Sequence, residues 1–165
     1  MREEELLKVK DLSFTYEEEP VLKNISLTVR HGEKIAVMGS NGAGKSTFFL
    51  NLNGVLKPDA GEIFLNGRKI GKKDMGLLRR QVGFVFQDAD SQIIASNVRA
   101  EISFGPMNLG LDRAEVIRRV DSAVSYLQLE ELQKRAPHYL SGGEKKRVSI
   151  ADILAMEPEL LIFDE

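Results

Sequence analysis

The residues best suited to chemistry run from Gly39 to Thr47. Gly39, Ser40, Asn41, Gly42, Ala43, Gly44, Lys45, Ser46 and Thr47 fit the pattern G-x-x-x-x-G-K-[ST]. Glycines at this spacing let the backbone curl so that several N–H groups point at one anion. A helix opening at Lys45 adds the partial positive charge of its N-terminus. Lys45 is then placed to reach the β- and γ-phosphates of a nucleotide, and the Ser46 hydroxyl to ligate Mg²⁺. A second candidate is Leu160-Leu161-Ile162-Phe163-Asp164-Glu165, an apolar strand ending in two carboxylates. Strand ends of this kind lie where α/β sheets bind ligands. Asp164 can hold the metal, often through its water, and Glu165 can act as general base toward an attacking water. Alone, the acidic end is equally a solvated terminus; the upstream loop gives it chemical meaning.

These residues need a fold around them. The chain has 165 residues, about one domain, with 42% hydrophobic and 29% charged side chains, enough apolar material for a core. Lys plus Arg number 23 and Asp plus Glu 25, a balance that argues against a dedicated nucleic-acid binder. Cysteine is absent, which excludes disulfides, thiol nucleophiles and thiolate metal sites. No apolar run approaches the ~18 residues a membrane helix needs, and the start, Met1-Arg2-Glu3-Glu4-Glu5, lacks a signal-peptide core. A cytosolic setting is expected, with any membrane role supplied by a partner.

Leu7 and Val9, Phe14 and Tyr16, then Ile25, Leu27 and Val29 alternate at strand spacing around a turn at Glu17-Glu18-Glu19-Pro20. Lys34-Ile35-Ala36-Val37-Met38 is a continuous apolar run that predicts a strand buried on both faces, and a helix follows from Lys45 to about Asn53. Asn66-Gly67 between Ile63-Phe64-Leu65 and Arg68-Lys69-Ile70 predicts a hairpin. Val82, Phe84 and Phe86 predict a further strand. Asp112 with Glu115 reads as a capping box ahead of Ile117, Val120, Val124 and Leu127 at helical spacing. Another helix starts at Ser141 and carries Val148, Ala151 and Leu154, with Pro158 closing it. The pattern predicts an α/β fold with an antiparallel patch and a helical insertion.

Leu140-Ser141-Gly142-Gly143-Glu144-Lys145-Lys146-Arg147 resembles the signature motif of ATP-binding-cassette (ABC) ATPases, and it lies between the loop and the acidic strand as in that family. Gln87, after Phe84-Val85-Phe86, is similar to the family's Q-loop glutamine, and Tyr16 to the aromatic that stacks on adenine. The resemblance covers essentially all 165 residues. It implies an α/β phosphate-loop NTPase: a RecA-like core with an N-terminal antiparallel β subdomain and a helical subdomain, about residues 88–155, inserted in a single domain spanning 1–165. It also implies two copies paired head to tail, so that each ATP meets one chain's phosphate loop and the other's Ser141, Gly142, Gly143 and Glu144. Mg²⁺ is then held by Ser46, Gln87 and Asp164, with Gln87 and Glu165 as the catalytic pair. Physics agrees for Ser141, Gly142 and Gly143, which open a helix and so form a second anion site. Read alone, Ser141 is only an N-cap and the glycines only a turn.

The stretches from Phe86 to Val98 and from Phe104 to Leu111 resemble the ATPase subunits of energy-coupling-factor transporters, the cobalt/nickel and vitamin importers. Glu144 suits that branch; Asp152 and Phe163 depart from it, where a small residue and Leu are more usual. The resemblance implies a second ATPase subunit, a transmembrane coupling subunit, a substrate-binding membrane subunit and a peripheral position on the cytoplasmic membrane face. The region between Gln87 and Leu140 is expected to supply the docking groove, with Arg99 and Glu101 exposed. Rival readings are a soluble cassette ATPase of translation or DNA repair, and a nucleotide-binding module without turnover. The resemblance further implies a D-loop, a switch histidine and core strands beyond Glu165, so the chain is expected to be part of a longer domain and, alone, impaired in hydrolysis. Neither His31 nor His138 stands where the switch histidine belongs. Lys145-Lys146-Arg147, Glu3-Glu4-Glu5 and Glu17-Glu18-Glu19 read as solvated charge runs.

Overall fold

The computed structural model describes residues 4–164, and Glu165 and Glu3 therefore lie outside the described residues. Strands β1 (Glu5–Tyr16) and β2 (Glu19–Arg30) form the long antiparallel hairpin that the alternation predicts, with Leu7 opposite Val29 and Val9 opposite Leu27. The turn is tighter than expected, since Pro20 already pairs with Thr15. On its other edge β1 pairs with β3 (Ala60–Leu65), which turns into the short β4 (Arg68–Lys69), giving the antiparallel order β2-β1-β3-β4. Asn66 and Gly67 both take positive φ, 49° and 75°, as a two-residue hairpin turn requires. Along β1 the buried positions switch parity, from Leu7 and Val9 to Leu12 and Phe14. A bulge at Asp11, with φ 50°, absorbs the extra residue, and its N–H donates to the Ser26 hydroxyl. Gly61 faces this bulge so closely that a Cβ there would fall 2.6 Å from the Leu12 Cα.

Helix α1 (Lys45–Leu52) buries Phe48 and Leu52, and α2 (Met75–Gln81), which the periodicity did not reveal, buries Leu78. These elements belong to a first unit ending at Val82. The predicted strand over Lys34–Met38 is not formed. No strand among the described residues pairs with it, and Ile35, Val37 and Met38 are 41%, 37% and 90% exposed. An apolar run supplies strand propensity only; the ladder must come from a neighbouring strand.

The second unit starts at Gly83. Strand β5 (Val82–Val85) pairs with β6 (Leu160–Phe163), and the Asp164 N–H donates to the Val85 carbonyl, so both C-terminal ends lie side by side. The last strand is less buried than its composition predicts, with Phe163 48% exposed. Helices α3 (Val98–Asn108), α4 (Arg113–Tyr126) and α5 (Gly142–Ala155) pack Val98, Ile102, Val120, Val124, Val148 and Ala151 into one core, joined by Leu129 and Leu140 from the stretch between α4 and α5. Gly105-Pro106 hid α3 from the sequence pattern, yet Pro106 is tolerated near its end and Asn97 caps its start. At α4 only half of the expected capping box exists. Asp112 accepts from the Glu115 N–H, but the Glu115 carboxylate turns to Arg118 and Arg119, which hold its pKa down at about 2. None of the helices described is long and apolar enough to cross a membrane.

Two acids enter this helical core. Glu101, expected on the surface, is 2% exposed because its carboxylate accepts from the backbone N–H groups of Ile94 and Ala95 at 2.9 and 2.6 Å. Arg99 is partly exposed and paired with Asp121. Burial pushes the Asp152 carboxyl up from 3.8 to about 6, with the Gln92 amide opposing and the charge of Glu101 adding to the rise. A folded-state value above the unfolded one means that the native protein binds the proton more tightly. Stability is therefore lost as pH rises from about 4 through about 6, and the deficit persists above. We expect Asp152→Asn to raise the melting temperature near pH 8, by a stabilisation of up to about 3 kcal/mol, and to leave it nearly unchanged near pH 4. Melts at both pH values check this; equal gains at both would contradict it.

Candidate functional site

The loop from Gly39 to Gly44 carries no side-chain cap for α1, because the N-cap position is Gly44 itself, at φ 90° and ψ 12°. The first N–H groups of α1 are thus left for an outside acceptor. A tight turn closes the loop, with the Ala43 N–H donating to the Ser40 carbonyl at 3.1 Å. The Lys45 ammonium folds back into the loop and donates to the Gly39 and Ser40 carbonyls at 2.9 and 3.0 Å. Asn41, Gly42, Ala43 and Ser46 are exposed, while Lys45 and Thr47 are half-buried. Uncommitted N–H groups, an ammonium and an accessible hydroxyl make a donor set that fits a phosphate chain with its cation.

Gly44 also anchors the loop. A Cβ at that position would lie 3.0 Å from Val21 Cγ1 and 3.1 Å from Leu22 Cδ2, so the loop rests directly on β2. Leu22 pairs with Phe14, and the Tyr16 ring packs edge-on against Phe14 with centroids 4.8 Å apart. Tyr16 is 46% exposed. An open aromatic face and the anion loop therefore share one hairpin end.

The other predicted residues belong to the second unit. Gln87 and Asp164 follow β5 and β6 at their adjoining ends; Gln87 is exposed, whereas Asp164 is buried at 9% exposure. Among the described residues no three carboxylates or imidazoles gather as a metal centre of their own. Ser141 caps α5 in a complete capping box. Its N–H and hydroxyl donate to the Glu144 carboxylate at 2.7 and 2.8 Å, and the Glu144 N–H donates back to the hydroxyl at 3.4 Å. Those bonds hold the Glu144 pKa below the usual carboxylate range. Gly142 and Gly143 are exposed, with open space where a Cβ would point.

The Lys145-Lys146-Arg147 run departs from expectation. Instead of facing solvent, Lys145 pairs with Asp90 at 2.5 Å, and Lys146 donates to the Phe86 and Gln87 carbonyls. Arg147 donates to the Leu127 and Gln128 carbonyls at 3.1 Å, closing the C-terminal end of α4. Helical phase alone could not reveal this, because the partners lie far along the chain. The acidic runs behave as expected: Glu4, Glu5, Glu17, Glu18 and Glu19 are exposed. His31 contacts Asn66, and His138 stacks on Tyr139.

A family model described as ABC transporter matches residues 22–165. The energy-coupling factor transporter ATP-binding protein EcfA of Methanothermobacter thermautotrophicus is 48% identical over 163 residues, covering 97% of this chain and 52% of that protein. A protein of the same description from Methanoculleus marisnigri is 50% identical over 161 residues, covering 97% and 58%. The solved structure of CbiO1 from Clostridium perfringens, described as part of the ABC transporter complex CbiONQ, superposes with a TM-score of 0.88 at 42% identity. That match covers 99% of this chain and 66% of CbiO1. The chain spans about half the length of the curated relatives it matches.

The close approach at Gly44 yields a direct test. Alanine at φ 90° costs about 1–2 kcal/mol in backbone strain alone, and its Cβ would also press on Val21 and Leu22. Gly42 has φ 81° but open space around it. Gly44→Ala is expected to lower the melting temperature more than Gly42→Ala does, and calorimetry of the two variants checks it. Equal losses would show that the packing on β2 adds nothing.

Proposed function

This chain belongs to the ABC transporter family, and from that premise we propose that it forms the ATP-binding part of an energy-coupling-factor importer, binding and hydrolysing MgATP to drive uptake through membrane partners. The observation that carries the reading is the Lys45 ammonium held inside a glycine loop at an uncapped helix start. The names of the relatives support an importer over a soluble ATPase of translation or DNA repair. CbiO1, described as part of an ABC transporter complex, supports the same reading.

In this proposal residues 1–165 belong to one ATP-binding domain, with the helical subdomain at about 88–155. Tyr16 stacks on adenine, which for an aromatic is worth ~1–3 kcal/mol per base. The backbone from Gly39 to Thr47, together with Lys45, binds the β- and γ-phosphates. Ser46, Gln87 and Asp164 would hold Mg²⁺, which when bound would neutralise the phosphate charge. Glu165 accepts a proton from the attacking water as the γ-phosphorus leaves its bridging oxygen, releasing ADP and phosphate. A second ATPase subunit, paired head to tail, presents Ser141, Gly142, Gly143 and Glu144 to the γ-phosphate. A coupling subunit and a substrate-binding subunit span the membrane, and the ATPase sits on its cytoplasmic face.

Lys45 decides the reading. Charge-assisted bonds to phosphate contribute ~1.5–3 kcal/mol each, so Lys45→Ala in the full-length protein should weaken ATP binding at least about tenfold. Titration with a fluorescent ATP analogue measures it. Unchanged affinity would remove the phosphate-loop assignment, whereas lost binding with wild-type folding supports it.

A further inference from the structure

Helix α5 does more than present its N-terminal glycines; it grips the segment that carries Gln87. Lys146 Nζ donates to the Phe86 carbonyl at 2.8 Å and to the Gln87 carbonyl at 3.3 Å. One residue earlier, Lys145 pairs with Asp90 at 2.5 Å, its side chain only 19% exposed. From the segment itself Gln92 reaches back: its Nε2 donates to the Ser149 carbonyl at 2.8 Å and to Asp152 at 3.3 Å. The Gln92 Oε1 meanwhile accepts from the Phe86 N–H at 3.3 Å. Within the segment, Asp88 accepts from the Asp90 N–H and the Ser91 hydroxyl, which sets its tight turn.

The spacing makes this a built device. Lys145, Ser149 and Asp152 stand at i, i+4 and i+7 on one stripe of α5, and Lys146 lies beside them. Phe86 is held at both of its backbone groups, the carbonyl by Lys146 and the N–H by Gln92. Gln87 therefore leaves a backbone whose position is fixed from α5, while its own side chain stays exposed.

We propose that Lys146, supported by Lys145 and Gln92, is a positioning residue that fixes Gln87 to α5, so that a shift of the Ser141-Gly142-Gly143 end carries Gln87 with it. Resting on the ATPase reading, this makes Lys146 a determinant of how well Gln87 meets the metal, acting through the backbone that carries Gln87.

The test uses the full-length protein with Lys146→Met, Lys146→Arg, Gln87→Ala and the double variant Lys146→Met/Gln87→Ala. Turnover is followed against Mg²⁺ concentration, ATP-analogue affinity is measured without turnover, and hydrogen exchange is read over residues 86–92. Groups that orient a ligand typically matter by 10–100-fold, so Lys146→Met should raise the Mg²⁺ needed for half-maximal turnover by about tenfold. Analogue affinity should stay within about twofold, exchange over 86–92 should quicken, and Lys146→Arg should recover most of the loss. On the Gln87→Ala background Lys146→Met should add little, because the two act through one group. Wild-type Mg²⁺ dependence together with unchanged exchange overturns the proposal, as does an additive loss that Lys146→Arg does not rescue. If the wild-type protein binds no ATP, the ATPase reading fails; the exchange comparison then still decides whether Lys146 holds the segment.

Discussion

Everything proposed for the site depends on backbone N–H groups at the start of α1 that the helix itself cannot satisfy. Three of the five α-helices among the described residues cover that deficit with a side chain, Asn97 for α3, Asp112 for α4 and Ser141 for α5, while α2 has none. Helix α1 does not, because Gly44 occupies the capping position and has no side chain to offer. The vacancy persists because the loop is fixed by other means. Gly44 lies against Val21 and Leu22, and the Lys45 ammonium ties the Gly39 and Ser40 carbonyls together. A site for anions is thus bought with a hairpin that has to run long enough to support it.

The second unit resolves a different constraint, the placing of charge next to an apolar core. Glu101 is buried but answers two backbone N–H groups, so its carboxylate organises the chain leading into α3. Asp152 is half-buried with a weaker complement, one amide at 3.3 Å, and its raised pKa records that shortfall. The lysines of α5 take the opposite route, spending their charge on Asp90 and on backbone carbonyls. Charged and polar groups along one helix face therefore bind the segment from Phe86 to Gln92 through several bonds at once.

Much of the candidate site was legible in the residues. The glycine loop with Lys45 and Ser46, the Ser141 helix start, the Asn66-Gly67 turn and the carboxylate after β6 each follow from local chemistry. A turn needing positive φ, a helix needing a cap and a strand ending in an acid all leave their mark within a few positions. The paired strands β1 and β2 were equally readable, since side chains alternate with period two. The bulge at Asp11 was not read from the alternation; it shows in the structure as a change of buried parity between Val9 and Leu12.

Tertiary structure alone decided the rest, for a common physical reason: the deciding partner is remote in sequence. Lys34–Met38 has the composition of a buried strand, but a strand exists only where another supplies its ladder, and none described here does. Lys145-Lys146-Arg147 has the composition of a solvated face, yet its partners at Phe86, Gln87, Asp90 and Leu127 stand twenty to sixty residues away. Glu101 looked like a surface charge until the N–H groups of Ile94 and Ala95 turned toward it. The sequence by itself marked the residues proposed to bind phosphate and metal, because those demands are written in residue type and short spacing. Which charges are buried, which helix holds Gln87 and which apolar run becomes a strand were set by non-local packing, where burial and hydrogen bonding depend on what the fold brings alongside.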